Sequence, residues 1–341
     1  MGTTRRRLLR STAALASIAA TTTSALAQEK PVIRFGYLLP PISEMAGIFT
    51  VKPELLKHYG KTYDFEAKYV RASPLLVTAL AAGEIDVANL GVSTFYQAVV
   101  NAGLSDMKII GDEAEDGFNG MFSSQVRARK DSGITKISDL KGKVIATIAL
   151  GSGADMLTRY TLRKHGLELN RDYTYLETPF PTMKAMLLEK KVDAAYFSQP
   201  FASDPDVAAQ TNVLFTTDDS LGPIMLNFLA ARGTFIAKHR PAMVDFMEDF
   251  LRVVRWYYDP ANRDESIRIV SEASKVPEAV LRRYIFTKSD NYRSLDALPD
   301  LTVIQNNWTA MKELGLTRQV LKANEYADLS IVKEAATRLK Q

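Results

Sequence analysis

Ala79-Leu80-Ala81-Ala82-Gly83-Glu84-Ile85-Asp86-Val87-Ala88-Asn89-Leu90 is a phrase the chain carries twice, for it returns, altered, as Ala185-Met186-Leu187-Leu188-Glu189-Lys190-Lys191-Val192-Asp193-Ala194-Ala195-Tyr196. In each copy an apolar stripe at helical spacing (Leu76 and Leu80; Met183, Met186 and Leu187) runs into a short polar turn. An apolar segment with one Asp follows, and then a small loop. The pattern predicts helix, tight turn, buried strand, loop. Two lobes of similar build are the economical reading. Ligands of open parallel sheets bind at the carboxyl ends of the strands, so the two loops become half-sites facing each other across a cleft. Gly91-Val92-Ser93-Thr94 is small and hydroxylic, whereas Phe197-Ser198-Gln199-Pro200 is aromatic. Such a pair suits an asymmetric ligand with one polar and one apolar end.

The opening residues form an export signal. Arg5, Arg6, Arg7 and Arg10 precede an Ala/Ser/Thr-rich apolar stretch that ends in Ala25-Leu26-Ala27, a small-residue cleavage site. Thr4-Arg5-Arg6-Arg7-Leu8-Leu9-Arg10 has the order of a twin-arginine signal; a general secretory signal with a surplus arginine is the alternative. Expected is a bacterial envelope protein, periplasmic after cleavage behind Ala27. Without those 27 residues Lys and Arg fall from 43 to 39, level with the 39 Asp and Glu, so the basic balance belongs to the signal. A balanced remainder lacks the positive footprint that nucleic acid requires. The chain has no cysteine, which excludes disulfides, thiolate metal sites and a cysteine nucleophile. Residues 28–341 are about two domains long.

Val32 to Tyr37 alternates as a first strand and ends at Leu38-Leu39-Pro40-Pro41, where prolines stop the ladder. Residues 44–58 have helical spacing, 64–70 read as a second strand and 107–111 as a fourth. The acidic cluster Asp112, Glu113, Glu115 and Asp116 follows and leads to Gly117-Phe118-Asn119-Gly120, glycines that suit a crossing between lobes. A charge run is ordinarily a solvated face; were Glu115 or Asp116 to face the cleft, the ligand would carry an amine. Ser138 is placed as the cap of a short helix that turns at Gly142 into a buried strand, whose loop Gly151-Ser152-Gly153-Ala154 opens a helix near Asp155. Residues 173–177 read as a strand and 213–229 as two more, with the return crossing near Asn227. Helices at 241–258, 266–286 and 301–314 complete the chain.

Together these pieces resemble a known family over nearly the whole mature chain: the solute-binding components of ABC importers, in the branch of taurine-, alkanesulfonate-, nitrate- and thiamine-precursor-binding proteins. The resemblance is carried by Ile33-Arg34-Phe35-Gly36-Tyr37, Ala81 to Ala88, Asp139-Leu140-Lys141-Gly142-Lys143-Val144 with the later Gly151-Ser152, and Val192-Asp193-Ala194. It implies a two-lobed α/β periplasmic binding protein fold of type II with two crossing hinge strands. One lobe would comprise residues 28–118 plus 226–341 and the other 119–225. A small anionic or zwitterionic solute, sulfonate-, taurine- or carboxylate-like, would be captured between them. Partners would be a membrane permease and its ATPase, the protein acting as a monomer without cofactor or metal.

The chemistry of such a site follows from helix ends. Unpaired N–H groups and the helix dipole stabilise an anion, and Ser93, Thr94, Ser152, Gly153 and Ala154 stand at two strand-to-helix junctions, one per lobe. Ser93 and Ser152 either contact the ligand or merely cap their helices. The family commonly places an aromatic residue and a proline where Phe197 and Pro200 stand, so Phe197 would cover an apolar ligand face, with Gln199 beside it; the other reading puts Phe197 in the core. Leu39 and Pro40 are candidates at the end of the first strand, and Arg71 ends the second strand either as an anion partner or as an exposed cation. Asn119 and Asn227, on the two crossings, would reach the ligand at the hinge.

An enzyme is the remote alternative. Relatives of this wider fold that perform chemistry use cysteine, His58, His165 and His239 lack metal-ligand spacing, no G-x-S-x-G occurs, and Met156 spoils a dinucleotide fingerprint after Gly151-Ser152-Gly153. A periplasmic sensor that delivers its closed form to a signalling partner needs the same cleft as an importer component. A cytosolic regulator's effector domain is opposed by the export signal.

Overall fold

The computed structural model describes residues 30–38 and 44–340; the segment expected to be an export signal and the candidates Leu39 and Pro40 lie outside them. In chain order the strands are β1 (Val32–Tyr37), β2 (Asp64–Tyr69), β3 (Val87–Leu90), β4 (Met107–Asp116), β5 (Gln125–Arg129), β6 (Lys143–Thr147), β7 (Tyr173–Glu177), β8 (Ala194–Phe197), β9 (Thr211–Thr216) and β10 (Ile224–Arg232). The helices are α1 (Glu44–Val51), α2 (Ser73–Ala81), α3 (Val92–Tyr96), α4 (Gly153–Lys164), α5 (Phe180–Leu188), α6 (Pro205–Gln210), α7 (Gly233–Tyr258), α8 (Arg263–Ser274), α9 (Glu278–Leu281), α10 (Leu301–Glu313) and α11 (Ser330–Arg338).

Two five-stranded sheets result, ordered β2-β1-β3-β10-β4 and β7-β6-β8-β5-β9. In each, three parallel strands are followed by one antiparallel strand, β10 or β5, that stands next to a crossing. The chain passes to the second sheet between Asp116 and Gln125 and returns between Thr216 and Ile224. The central strands β3 and β8 bury both faces, as inner parallel strands require, while the edge strands β2 and β7 are partly exposed. On β10, Leu229 and Ala231 pack with α1, α7 and α11, while Phe228 and Ala230 pack with α2, α3 and Trp308 of α10. On β8, Tyr196 faces the α4 side and Phe197 the α5 side.

The repeated phrase does the same work in both sheets. Asp86 accepts the Arg34 amide at 3.4 Å and returns its own N–H to the Arg34 carbonyl at 2.8 Å; Asp193 accepts the Val144 amide at 2.9 Å and returns its N–H to the Val144 carbonyl at 2.9 Å. Each Asp thereby stitches the start of a central strand to its parallel neighbour. Both preceding helices end on a left-handed residue, Gly83 at φ +68° and Lys190 at φ +65°, the usual close of a helix.

Several expectations change. Helix α1 stops at Val51 and a single tight turn, Pro53–Leu55, replaces its second half, because Pro53 lacks the N–H a continuing helix needs. Ser138 caps nothing: Asp139 takes the amides of Thr135 at 3.0 Å and Lys136 at 3.1 Å and closes one 3₁₀ turn, Ile137–Leu140. The fourth strand runs on to Asp116, and its acidic residues are buried rather than solvated. The return crossing precedes β10, so Asn227 sits within that strand, opposite Ala114 at an irregularity in the ladder. Strand β5 went unread because Gln125-Val126-Arg127-Ala128-Arg129 carries two arginines and little apolar bulk.

Candidate functional site

The loop after β3 opens α3 through a tight approach. A Cβ on Gly91 would stand 2.6 Å from the Leu226 carbonyl oxygen, so only glycine lets β10 pass. The Thr94 hydroxyl closes the turn, receiving the Gly91 amide at 3.0 Å and donating to the Gly91 carbonyl at 3.0 Å. Trp308 anchors the same turn by donating Nε1–H to the Val92 carbonyl at 2.9 Å. Ser93 is thereby held inward: it is 2% exposed and its Oγ has no partner among the described residues.

In the second lobe, Ser152 caps α4. Its Oγ receives the Asp155 amide at 3.3 Å and donates to the Ala149 carbonyl at 2.7 Å. Asp155, fully buried, takes the Gly151 amide at 2.8 Å and an Arg159 guanidinium N–H at 2.6 Å, all on Oδ2. The positive end of α4 is therefore met by the protein's own carboxylate. A bare oxyanion shared by both helix ends, the sequence expectation, would be set against that charge.

Between these two loops lies a cavity of about 680 Å³. Ser93, Gln97 and Val100 line it from the first lobe, Ser152, Asp155, Met156 and Arg159 from the second, and Met311 with the segment 315–318 closes it from the C-terminal helices. Across its wall Gln97 donates Nε2–H to the Gly151 carbonyl at 2.8 Å, a direct bond between lobes. The Tyr96 hydroxyl fixes the closing segment by accepting the amides of Arg318 at 3.1 Å and Gln319 at 3.3 Å. Thr317 is 7% exposed and its Oγ1 lacks a partner among the described residues. Arg318 is exposed. The wall thus brings together Arg159, paired with Asp155, the exposed Arg318, the hydroxyl-bearing residues Ser93, Ser152 and Thr317, and apolar side chains of Val100, Met156, Met311 and Leu316.

The structure brings Ser93 and Ser152 to this cavity, Ser152 with its side chain already engaged. Gly153 and Ala154 form the first turn of α4 outside the lining, and Thr94 spends its hydroxyl on the turn. Phe197 is not on the cavity. It is fully buried among Met183, Leu187, Val192 and Val207, because the strand alternation turns its ring toward α5. Gln199 is 3% exposed, precedes a cis Pro200, and neither side-chain amide atom has a partner among the described residues. Arg71 is exposed at the end of β2. Asn119 is an exposed turn residue whose carbonyl accepts from Lys288, and Asn227 is buried in β10. Sequence reasoning missed Gln97 and Arg159, each one helical turn past Ser93 or Asp155, which spacing from the loops would have reached. Nothing local in 311–318 marks it.

The hinge is built separately. The fully buried Asp116 carboxylate accepts the Ser123 amide at 2.6 Å, the Ser124 amide at 3.2 Å and the Thr217 hydroxyl, so one side chain holds both crossings. Burial pushes its pKa up, against those hydrogen bonds. Among the described residues no group of acidic residues and histidines forms a metal site, and no helix is long and apolar enough to cross a membrane.

The family model of the NMT1-like family matches residues 26–271. The chain belongs to the NMT1-like family. No curated protein matches it. Among solved structures this NMT1-like chain is similar to the alkanesulfonate-binding protein SsuA from Xanthomonas axonopodis pv. citri bound to MOPS, with TM-score 0.69, 20% identity, 87% of this chain and 98% of that chain covered. The periplasmic aliphatic sulphonate binding protein SsuA from Escherichia coli gives TM-score 0.65, 18% identity and coverages of 86% and 91%. The periplasmic nitrate-binding protein NrtA from Synechocystis PCC 6803 gives TM-score 0.71, 16% identity and coverages of 92% and 90%. At these identities the likeness establishes the two-lobed periplasmic binding protein fold.

Proposed function

We propose that this chain is the exported solute-capturing component of an ABC importer. Its two lobes close reversibly on a small anionic or zwitterionic organic solute and deliver it to a membrane permease and ATPase. One observation carries the reading: serine and threonine residues, two arginines and apolar side chains from both lobes line one cavity between them. Among the described residues that line it no nucleophile is paired with a base, which supports binding over reaction. The division into 28–118 plus 226–341 and 119–225 is supported by the two crossings, and sulfonate- and nitrate-binding neighbours of the same fold support the solute class. Export by a twin-arginine signal, cleavage after Ala27 and a periplasmic location belong to the same proposal.

Thermal melts of residues 28–341 with sulfonates, taurine, nitrate, aromatic carboxylates and aminopyrimidines test it. A solute bound only by the folded state raises the melting temperature by mass action, about 2.7 kcal/mol of stabilisation at a hundredfold excess over Kd. No shift with any solute, together with turnover of one of them, overturns the reading. The serines separate in the same assay. Ser93→Ala weakens solute binding, while Ser152→Ala lowers the stability of the free protein by about 1 kcal/mol through loss of a cap.

A further inference from the structure

We infer that the lobes carry their own latch, in which the Gln97 side chain of one grips the Gly151 carbonyl of the other and Met156 forms an apolar peg between them. The latch holds a closed form in equilibrium with an open one before any solute arrives, so it sets affinity without choosing the solute, an inference that rests on the capture reading above. Gln97 Nε2 donates to the Gly151 carbonyl at 2.8 Å. Both groups belong to the protein, and the bond exists only while the lobes are together. The acceptor is fixed in place: Gly151 gives its own N–H to Asp155 Oδ2 at 2.8 Å, and Glu177 holds the preceding Leu150 amide at 2.9 Å. The residue type is fixed as well. Gly151 lies at φ +77°, and a Cβ there would stand 2.4 Å from Gln97 Nε2, so any side chain would strain the loop and keep Gln97 out.

The donor stands on an unusual element. Where α3 ends, the chain makes one π turn, Gln97–Asn101, closed by the Ala102 amide on the Gln97 carbonyl at 2.9 Å; such single turns are rare and recur at functional sites. Met156 lines the same cavity as Gln97 and crosses the boundary from the other side. Its neighbours on α4, Ala154, Leu157 and Leu162, pack within the second lobe. Met156, 2% exposed, instead belongs to the first lobe's cluster with Phe95, Trp308 and Met311. Separating the lobes would return that side chain to water and break the Gln97 bond, and both changes oppose opening. A protein whose binding-competent form is only fractionally populated has its affinity lowered by that fraction. Loss of a latch therefore weakens every solute by one factor, whereas loss of a group that touches solute changes the preference among solutes.

Double electron–electron resonance on the solute-free protein tests this. Spin labels go on Leu75→Cys and Thr174→Cys, exposed positions of the two lobes at or beside the edge strands β2 and β7, away from the crossings. Gln97→Ala is expected to lower the closed-to-open ratio about two- to tenfold, the worth of one hydrogen bond, seen as population moving from the shorter to the longer distance. Gln97→Glu, which sets a carboxylate against the carbonyl, moves it further, and Gly151→Ala leaves the longer distance alone. In calorimetric titrations with two chemically different solutes from the melting screen, Gln97→Ala weakens both by the same factor. A solute-free distribution that neither Gln97 substitution moves overturns the inference. So does a different factor for the two solutes, which makes Gln97 a recognition residue instead. The Gln97 variants decide the matter if Gly151→Ala does not fold. Silence toward every solute sinks the capture reading, and the solute-free distances still judge the latch.

Discussion

Asp86 and Asp193 make the same pair of backbone bonds in the two sheets, and their spacing from the preceding turn is the same, which is why the repeat was audible in the sequence. The match extends to backbone conformation. Where the first copy has Gly83, the second puts Lys190 into the left-handed region, a conformation that costs a residue with a Cβ roughly 1 kcal/mol. Lys190→Gly is therefore expected to raise the unfolding free energy by no more than about 0.5 kcal/mol, measured by urea unfolding, because relief of the strain is largely offset by glycine's greater unfolded-state freedom and the loss of a weak surface bridge to Asp131. An unchanged or lowered midpoint contradicts it. At this scale small loops were legible by type and not by aim. Ser152 stands at the N-cap of α4 and takes the Asp155 amide, whereas Ser93 lies inside the first turn of α3, whose N-cap is Gly91 and whose turn Thr94 closes. Of the two readings open for Phe197, a ligand cover or a core residue, two-residue alternation on β8, with Tyr196 facing α4, selects the core.

Strand β4 shows where element-level reading stops. Its apolar half, Met107 to Gly111, announces a strand, but the rest is acidic and buried under the segment 292–297: Asp112 receives the Ser294 amide at 3.3 Å, and Glu115 exchanges backbone bonds with Tyr292 at 2.8 and 2.9 Å. Only tertiary packing reveals that burial. Burial first, and then the neighbouring Asp112 charge, pushes the Glu115 pKa up to about 10; burial pushes Asp112 up to about 7 against Glu115, Ser294 and Arg293. A carboxyl whose folded pKa lies above its unfolded one holds its proton in the native state. Its contribution is complete below the unfolded pKa near 4.5 and is lost as pH rises through about 10. Stability should thus fall between pH 7 and 10, by at most about 1.4 kcal/mol per pH unit from Glu115. Glu115→Gln, a neutral donor of the same shape, should flatten that fall in denaturant titrations across the range. Parallel pH profiles for variant and wild type would show that the proton is not held there.

At the scale of the molecule, the two sheets and the two crossings between them were legible because the chain repeats its helix-turn-strand unit and places glycines at 117 and 120. What could not be read is how the crossings are tied and how the lobes meet. Asp116 joins both crossings through Ser123, Ser124 and Thr217, and Gln97 reaches Gly151 across the cavity; each involves partners distant in sequence, and the 311–318 wall arrives from a helix with no motif of its own. A capture mechanism turns on relative motion of the lobes, with bound solute adding contacts available only when they are closed. The absence of native cysteine makes that motion directly measurable. Leu75 and Leu150 are exposed on opposite lobes near the carboxyl ends of β2 and β6. Spin labels on Leu75→Cys and Leu150→Cys, read by double electron–electron resonance with and without a saturating solute from the melting screen, should show a distance distribution that shortens and narrows when the solute binds. A distribution unchanged at saturation would contradict solute capture by closure of the two lobes.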